Sequence, residues 1–255
     1  MNLRVLPVGA LTMALPEDDP MLNVIQRVPH WEKWVVDAAM SVVRAGTCFL
    51  DIGANIGVFA INAAKRGANV TAIEVSPENC KLILLNSQLN NVTINLIQAA
   101  VSDSRGPVLY KKEANTNKNI SGDEALTIDS FNDLDLAMQF HVDDIIVDSP
   151  DVIKIDIEGH DYNVMASSTR LWQRKPYVFA EYSGTLLEGR SHLKTATQYL
   201  KLFVDHGYTI NYLGSSEIVE YGTAIDKVHD RYLSVLKQGV THLDLAFVPN
   251  AESLG

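Results

Sequence analysis

A glycine-spaced turn between an apolar run and a helix-like segment is the feature that most constrains the fold of this chain. The apolar residues Phe49 and Leu50 lead into Asp51, and the turn Gly53–Gly57 follows. The next segment, Val58–Lys65, has the apolar, alanine-containing composition of a helix. Glycine allows a close backbone approach, and a helix N-terminus presents free N–H donors. This order of strand, turn and helix predicts the start of a nucleotide-type cofactor site.

The spacing within the turn differs from that of a dinucleotide-binding loop. Such a loop, G-x-G-x-x-G, wraps a pyrophosphate, whereas this turn reads D-x-G-x-N-x-G and starts with a carboxylate. The carboxylate would repel a pyrophosphate but suits a ligand that carries an ammonium group and a sulfonium group. S-adenosylmethionine is such a ligand, so the turn predicts this cofactor. The residues of the turn that are expected to bind it are Asp51, Gly53, Asn55 and Gly57.

A second acidic residue ends the next predicted strand, residues 69–74. Glu74 lies roughly 20 residues past the glycine turn, where the acidic residue of a nucleotide-binding fold holds the ribose hydroxyls. NAD enzymes and methyltransferases share this feature, so Glu74 does not separate the two cofactors. We expect Glu74 and the adjacent Val75 to bind the cofactor. A solvated charge at a strand end is the alternative.

Strands and helices alternate along most of the chain, which is typical of a parallel sheet with helices on both faces. The predicted core strands are residues 48–52, 69–74, 93–100, 151–157, 177–182, 209–213 and 242–248. The predicted helices between them are residues 57–66, 77–90, 162–172 and 193–204. The predicted fold class is therefore α/β: a Rossmann-like, mostly parallel seven-stranded sheet with an antiparallel last strand.

All 255 residues are predicted to form one domain, with three segments outside the alternating core. The N-terminal lead-in, residues 1–46, contains a predicted strand pair and a helix over residues 31–43. Residues 102–150 are longer than an ordinary connection, so we expect an inserted lid or acceptor-recognition region there. Residues 214–240 form a second insertion with a predicted helix over residues 225–236.

The long insertion is richer in Asn, Asp, Ser and Lys than the core. Its pattern predicts short strands at residues 107–111 and 141–146. Residues 115–119, which read NTNKN, contain turn-forming side chains and predict a loop.

Charged residues interrupt the predicted core strand at residues 151–157. Lys154, Asp156 and Glu158 alternate in the run VIKIDIEG, so their side chains tend toward one face. Glu181 ends the neighbouring strand and adds a third carboxylate. Burying unpaired charges is costly, so each of them needs a partner or a ligand. Two interpretations stay open: a structural salt bridge made by Lys154, or a reacting centre.

Several segments occur together in an order that resembles the FkbM-type S-adenosylmethionine-dependent O-methyltransferases. They read FLDIGANIGVFAINAAKRG, AIEVSPEN, AAVSDSRG, VIKIDIEGHDYNVM and FAEY. The upstream run that ends in Trp31 and Glu32 is similar to the lead-in of that family, and the resemblance covers nearly the whole chain. It implies a class I methyltransferase fold and transfer of a methyl group to a hydroxyl of a small molecule or glycan, with a sugar-type acceptor favoured.

The strand order and the resemblance together imply where the parts of the cofactor bind. Ligands of open α/β sheets lie outside the carboxyl ends of the strands. The glycine turn would hold the methionine portion and Glu74 the ribose, while Ala100 and Val101 would contact the adenine. Asp103 would either reach the adenine amino group or cap the following turn. By resemblance Glu32 would approach the cofactor or the acceptor, and a charge at a helix N-terminus is the alternative.

An alcohol is a poor nucleophile until its proton is removed, so a hydroxyl acceptor requires a positioned base. The candidate catalytic residues are Lys154, Asp156, Glu158, His160 and Glu181, and Asp156 is also a candidate for cofactor binding. The three carboxylates could instead hold Mg²⁺ and lower the pKa of the hydroxyl, and the sequence does not choose between a base and a metal. The histidines without motif context, expected at the surface or in packing positions, are His141, His192, His206, His229 and His242.

Composition limits the partners of the chain. The formal net charge is −10, and no cluster of Lys and Arg appears, which disfavours phosphate contacts with nucleic acid. No apolar run approaches the length of a membrane span. Cys48 and Cys80 lack metal-ligand spacing and indicate free thiols in a reducing compartment, so we expect a cytoplasmic protein. Nothing in the sequence indicates the oligomeric state.

Three other functions compete with the O-methyltransferase interpretation. An NAD-linked oxidoreductase is disfavoured by the missing G-x-G-x-x-G and by Asp51. A non-catalytic cofactor-binding partner protein is disfavoured by the carboxylates of the charged strand. An RNA 2′-O-methyltransferase has a similar Lys, Asp and Glu set, matched here by Lys154, Asp156 and Glu181, but its second lysine has no evident counterpart.

Overall fold

The computed structural model of this protein describes residues 2–113, 116–119, 133–250, 252 and 254, with the backbone alone at residues 112–113 and 116–119. Its strands are β1 Leu3–Val8, β2 Leu11–Pro16, β3 Cys48–Ile52, β4 Asn69–Glu74, β5 Asn95–Gln98, β6 Ala100–Val101, β7 Gly106–Glu113, β8 Thr116–Asn119, β9 Leu134–Phe140, β10 Val152–Ile155, β11 Tyr177–Tyr182, β12 Tyr208–Leu213, β13 Ile218–Gly222 and β14 Leu243–Pro249. Its helices are α1 Pro20–Arg27, α2 Lys33–Val42, α3 Val58–Lys65, α4 Pro77–Leu89, α5 Val142–Ile145, α6 Asp161–Ser167, α7 Gly184–Arg190, α8 Thr197–Asp205 and α9 Ile225–Leu236.

The central sheet has the strand order β13-β12-β14-β11-β10-β3-β4-β5. Strands β5, β4, β3, β10 and β11 are parallel, and β14 is antiparallel to both β11 and β12. This topology confirms the α/β fold with a mostly parallel sheet and an antiparallel last strand. Seven strands are too few, however, because β13 pairs with β12 and makes an eighth among the described residues. Its five residues, IVEYG, are too few and too mixed in polarity to predict a core strand.

One row of charged residues crosses the sheet near its carboxyl edge. Lys154 of β10 pairs with Asp51 of β3, and Glu181 of β11 pairs with Asp244 of β14. Asp156 lies two residues beyond Lys154 and therefore on the same face, and the β10–β11 register places it beside Glu181. Four neighbouring strands thus direct charged side chains to the same face of the sheet.

Apolar clusters cover both faces of the sheet. On one face α2 and α3 pack over Phe49 and Phe179, and the charged row lies at the edge of this face. On the other face α6, α8 and α9 pack around Tyr182, Phe203 and Phe247. The charged row is therefore bordered by core packing rather than by open solvent, which is why its members are largely buried.

The N-terminal lead-in forms the expected strand pair, with β1 antiparallel to β2. Two asparagines of α4 hold this hairpin against the core. Asn86 Oδ1 accepts a hydrogen bond of 2.7 Å from the backbone of Ala14, and Asn90 Oδ1 accepts one of 3.0 Å from Thr12. The expected helix over residues 31–43 is present as α2. The preceding α1 is an additional helix, whose first turn is capped by Asp19.

The long insertion differs from the prediction in three places. Residues 107–111 lie in β7 as expected, but residues 141–146 form α5 rather than a strand, and the strand β9 precedes them. Two aspartates in the first turn of α5 favour a helix start. The sequence alone does not reveal this helix, because a short apolar run fits a strand equally well. Thr116–Asn119 is not a loop but pairs with β7 as β8. Residue 115 and residues 120–132 lie outside the described part of the chain.

The predicted strand over residues 93–100 is divided between two sheets. Its first part is β5, at the edge of the central sheet, and its last residues form β6, which pairs with β9 in a separate sheet. The helix expected over residues 162–172 is the shorter α6, and the helix expected over residues 193–204 begins later, as α8. Within the described residues, no helix is long and apolar enough to cross a lipid bilayer.

Candidate active site

Two cavities open side by side at the carboxyl edge of the sheet. The β4-side cavity has a wall that includes Glu74, Val75, Ala100, Val101 and His160. The β11-side cavity has a wall that includes Glu32, Asp51, Lys154, Glu181 and His242. Both cavities are lined by Gly53, Asn55, Asp156 and Glu158. They are therefore neighbouring compartments of one cleft, at the place where open α/β sheets bind ligands.

The glycine turn forms the partition between the two cavities. Gly53, Asn55 and Gly57 have φ angles of 80°, 51° and 93°, in the left-handed region that favours glycine and asparagine. A Cβ atom on Gly53 would overlap the carbonyl oxygen of Asp156. Glycine is therefore required at this position for β3 and β10 to approach each other, in addition to any approach by a ligand.

Glu74 is fixed at the wall of the β4-side cavity by backbone donors. Its Oε2 accepts a hydrogen bond of 2.8 Å from the N–H of Asn55, and its Oε1 accepts one of 2.8 Å from Ser76. Burial raises the pKa of the Glu74 carboxyl, and these two donors oppose that rise. Hydrogen bonds from Asn79 and Val75 oppose the rise as well. The carboxylate is thus held rigidly at the wall of the cavity.

The side chain of Asp51 contacts the first turn of α3. Its Oδ2 accepts a hydrogen bond of 2.9 Å from the N–H of Ala60. Burial raises the pKa of the Asp51 carboxyl to about 7, although the nearby ammonium of Lys154 opposes this. The residue lines the β11-side cavity, so its position is compatible with the predicted role in cofactor binding. Its hydrogen bond also ties the helix to the turn.

Lys154 is the buried cation at the centre of the charged row. Its Nζ lies 3.3 Å from Asp156 Oδ2 and 5.2 Å from the centroid of the Phe59 ring. Burial lowers the pKa of the ammonium, but the carboxylates around it, above all Asp156 and Glu32, outweigh burial and hold the pKa above its usual value. The ammonium is therefore permanently charged and compensates part of the negative charge that surrounds it.

Glu32 lies at the N-terminal boundary of α2, in the left-handed conformation with a φ of 44°. Its side chain makes no capping hydrogen bond with the helix and instead lines the β11-side cavity. Burial raises the pKa of its carboxyl to about 7, and Lys154 opposes this rise. Of the two interpretations of Glu32, the one that directs it toward a ligand agrees better with this position.

Glu181, His242 and Asp244 form a group where β11 meets β14. Glu181 Oε2 lies 3.6 Å from His242 Nδ1, and Asp244 Oδ1 lies 3.9 Å from His242 Nε2. The other oxygen of Asp244 accepts a hydrogen bond of 2.6 Å from Trp34 Nε1. Burial, and then the charge of Asp156, raise the pKa of Glu181 well above its usual value. Burial also raises the pKa of Asp244.

The family to which the chain belongs follows from a comparison with family models. A model described as the methyltransferase FkbM domain matches residues 51–210, more than half of the chain. The chain belongs to the FkbM methyltransferase family. The predicted resemblance is thereby confirmed, and with it the class of the protein as an S-adenosylmethionine-dependent methyltransferase with a Rossmann-like fold. The interpretations as an NAD-linked oxidoreductase and as a non-catalytic protein are not supported.

Among curated proteins, the methyltransferase is similar to the hexuronic acid methyltransferase AglP of Haloferax volcanii. The two are 27% identical over 168 residues, which cover 63% of this chain and 68% of AglP. Among solved structures, it is similar to a precorrin-6y C5,15-methyltransferase from Geobacter metallireducens, with a TM-score of 0.48, 12% identity and 92% of each chain covered. A ribosomal protein L11 methylase from Lactobacillus delbrueckii gives a TM-score of 0.48, 11% identity and coverage of 85% and 77% of the two chains. At these TM-scores neither structural similarity bears on function.

His160 of the methyltransferase lines the β4-side cavity, whereas Lys154 and Glu181 line the β11-side cavity. Burial lowers the pKa of its imidazole to about 4, so the ring is neutral at neutral pH. Its Nε2 is buried and has no hydrogen-bond partner among the described residues. The structure therefore places this candidate base apart from Lys154 and Glu181.

The adenine-side candidates are divided by the structure. Val75, Ala100 and Val101 line the β4-side cavity as expected. Asp103 instead accepts hydrogen bonds from Ser102 Oγ at 3.0 Å and Asn163 Nδ2 at 3.0 Å. Of its two predicted roles, the local one, in the following turn, is the one that the structure supports.

The Mg²⁺ alternative is not supported. The carboxylates expected to hold the ion were those of Asp156, Glu158 and Glu181, but within the described residues the group whose side-chain atoms gather within 4.8 Å is Glu181, His242 and Asp244. That group offers an imidazole nitrogen, whereas Mg²⁺ prefers oxygen ligands in octahedral geometry. The ammonium of Lys154 already supplies a positive charge beside Asp156.

His242 and Asp244 are site residues that sequence reasoning missed. His242 was expected at the surface or in packing, yet it lines the β11-side cavity next to Glu181. The available signal is the alternation H-L-D in THLDLAFV, which puts two polar side chains on one face of an otherwise apolar strand. The same alternation drew attention to Lys154 and Asp156 in β10.

Proposed function

We propose that this methyltransferase transfers the methyl group of S-adenosylmethionine to a hydroxyl of a sugar-type acceptor, either a small molecule or a glycan. The observation that carries the proposal is the pair of adjoining cavities, one with Glu74 and an apolar wall and one lined by largely buried carboxylates. The relative AglP, whose name gives a hexuronic acid as its substrate, supports a sugar as the acceptor.

The β4-side cavity fits the adenosine part of the cofactor. Its carboxylate, Glu74, would accept hydrogen bonds from the ribose hydroxyls, and its apolar wall at Ala100 and Val101 would contact the adenine. The unpartnered Nε2 of His160 would gain a hydrogen-bond partner on the same ligand. In this assignment His160 binds the cofactor and is not the base.

The inner part of the β11-side cavity fits the methionine end of the cofactor. When bound, S-adenosylmethionine supplies an electrophilic methyl group on a positively charged sulfur. Glu32, Asp51 and Asp156 provide negative charge at the glycine turn, and burial makes this charge more effective because the local dielectric constant is low. Lys154 keeps Asp156 in place through its salt bridge.

The charge of the β11-side cavity favours a neutral hydroxyl over an anionic group as the methyl acceptor. Lys154 is the cation among the described residues that line the cavity, and at least three carboxylates, those of Asp156, Glu32 and Glu181, act on it. A carboxylate group of the acceptor would meet like charges at this place. We therefore propose methylation at a sugar hydroxyl rather than at a sugar carboxylate.

An acceptor screen with labelled S-adenosylmethionine tests the proposed function. The panel contains simple glycosides, the matching glycuronides and a short RNA, each with and without EDTA. Label on the hydroxyl of a neutral glycoside, unaffected by EDTA, is the expected result. Label confined to RNA would instead support the 2′-O-methyltransferase alternative, and activity lost with EDTA and restored by Mg²⁺ would establish a metal requirement.

The cytoplasm is proposed as the location of the protein. The free thiols of Cys48 and Cys80 are compatible with a reducing compartment, and burial raises the pKa of Cys80 to about 12, which makes that thiol unreactive.

A further inference from the structure

A carboxylate, an imidazole and a second carboxylate adjoin one another at the outer end of the β11-side cavity. The imidazole of His242 lies between Glu181, 3.6 Å from its Nδ1, and Asp244, 3.9 Å from its Nε2. Trp34 fixes Asp244 through a hydrogen bond of 2.6 Å. The side chain of His242 is 37% exposed, while that of Asp244 is 10% exposed. The imidazole therefore connects the buried row of carboxylates with solvent.

We propose that Glu181 is the catalytic base of methyl transfer and that the neutral imidazole of His242, backed by Asp244, takes over its proton. The proposal rests on the proposed O-methyltransferase function. The O–H bond of the acceptor breaks, and its proton moves to the Glu181 carboxylate. The electron pair of the oxygen forms the new O–CH₃ bond, and the pair of the broken S–CH₃ bond stays on sulfur. The proton then passes to His242 and to water.

Glu181 suits this role better than Asp156 and His160. Asp156 is already engaged in a salt bridge of 3.3 Å with the ammonium of Lys154. His160 lies in the other cavity. Glu181 lines the β11-side cavity, its side chain is 25% exposed, and an imidazole lies within 4 Å of its carboxylate. It is thus accessible to an acceptor on one side and to a proton carrier on the other.

The charges around Glu181 favour its protonation once the methyl group has been transferred. The titratable groups that act on it are Lys154 on β10 and Asp156 just after that strand, Glu32 before α2, and Asp244 on β14 and His242 just before that strand. A nearby cation favours the ionised form of a carboxyl group, and loss of the cation favours the protonated form. A sulfonium in the cleft therefore keeps Glu181 ionised, whereas a neutral thioether allows Glu181 to hold a proton.

Calorimetry tests this coupling without any acceptor. Isothermal titrations near pH 7, in two buffers of different ionisation enthalpy, count the protons released when S-adenosylmethionine or S-adenosylhomocysteine binds. We expect the wild-type protein to release more protons with the sulfonium ligand, and the difference to shrink in Glu181→Gln. Glu220→Gln, an exposed residue of β13, is the matched control and should behave as the wild type. An undiminished difference in Glu181→Gln would overturn the assignment.

Kinetics on the acceptor that the wild type methylates provide the second readout. Glu181→Gln should lower the single-turnover rate by roughly 10²–10⁴, as expected for loss of a base. His242→Gln should lower the multiple-turnover rate but not the single-turnover rate, because Glu181 loses the group that takes its proton after methyl transfer. His206→Gln, at the C-terminal end of α8, should leave both rates in place.

The two readouts separate this proposal from the proposed function. A wild-type single-turnover rate in Glu181→Gln, or an unchanged multiple-turnover rate in His242→Gln, would overturn the roles given to these residues even if sugars are methylated. If the calorimetric difference holds but no sugar is methylated, the sugar assignment fails while the response of Glu181 to the sulfonium charge stands.

Discussion

At the scale of the residue, the close approach of two strands, β3 and β10, depends on Gly53. Its φ of 80° excludes most side chains, and a Cβ atom there would overlap the carbonyl oxygen of Asp156. The motif predicts a glycine that lets a ligand approach, and the structure adds that β10 needs the same space. Substitution of Gly53 is therefore expected to affect folding as well as cofactor binding.

We expect Gly53→Ala to lower the free energy of unfolding more than Gly46→Ala does. Gly46 has a similar φ of 83°, but a Cβ atom there would have no neighbour within 4 Å. Both variants share the cost of a left-handed alanine, about 1–2 kcal/mol, and Gly53→Ala adds a backbone clash. Urea denaturation followed by circular dichroism measures both. Equal losses of unfolding free energy in the two variants would show that β10 can move away from the new side chain without destabilising the fold.

A second residue-scale prediction concerns Glu74. Glu74→Gln should weaken binding of S-adenosylhomocysteine by roughly tenfold to a hundredfold, since hydrogen bonds to a charged group contribute about 1.5–3 kcal/mol. Glu78→Gln, in the first turn of α4, is the nearby control because Glu78 lines neither cavity. Isothermal titration calorimetry gives both affinities. An unchanged affinity in Glu74→Gln would contradict the ribose assignment.

At the scale of the element, Asn86 ties three parts of the fold together. This fully buried residue of α4 accepts from the N–H of Ala14 and donates to the carbonyls of Ala14, at 3.3 Å, and Ile56, at 3.1 Å. Ala14 belongs to β2, and Ile56 belongs to the glycine turn. The N-terminal hairpin thus supports the turn that separates the two cavities.

Asn86→Leu should destabilise the protein by roughly 2–4 kcal/mol, because it leaves several buried backbone groups without partners at about 1–3 kcal/mol each. Asn95→Ala is the control, since Asn95 is exposed and its side chain makes one bond of 3.3 Å, to Thr71. Chemical denaturation measures the loss. A change in Asn86→Leu no larger than in Asn95→Ala would show that the hairpin is held by apolar packing alone.

The elements that could be predicted from the sequence are those with a strong local signal. The core strands β3, β4 and β11 are apolar runs that end in turns or charges, and their bounds match the prediction closely. Residues 141–146 could not be assigned reliably, because a short apolar run fits a strand or a helix equally well. The sequence of a strand also does not show which other strand it pairs with. Neither the β6–β9 pair nor the edge strand β13 could therefore be predicted.

At the scale of the whole molecule, the site is assembled from residues far apart in the chain. Asp51, Asp156 and Glu181 could be predicted because each follows an apolar run in a recognisable motif. Asp244 belongs to β14 and His242 directly precedes that strand, and the antiparallel insertion of β14 beside β11 brings both residues to the cleft. That placement depends on topology, which no local pattern near residue 244 encodes.

The dense charge of the cleft leads to a prediction about the pH dependence of stability. Burial raises the pKa of Glu32 from 4.5 to about 7 and that of Asp51 from 3.8 to about 7. Between these values the folded state binds more protons than the unfolded state, so the stability contributed by these groups falls as pH rises. His160 acts in the opposite direction, but its contribution is complete above its ordinary pKa of 6.5.

The melting temperature of the ligand-free protein should therefore fall between pH 6.5 and about pH 8, where the raised carboxyl groups ionise in the folded state. Scanning calorimetry measures this slope. Glu32→Gln should flatten it, because one of the raised groups is gone, and the exposed control Glu220→Gln should leave it unchanged. Saturating S-adenosylmethionine should also flatten the slope, since its sulfonium compensates the ionised carboxylates. A melting temperature that rises over this range, or a slope that is the same in Glu32→Gln, would show that the cleft carries less uncompensated negative charge than the structure indicates.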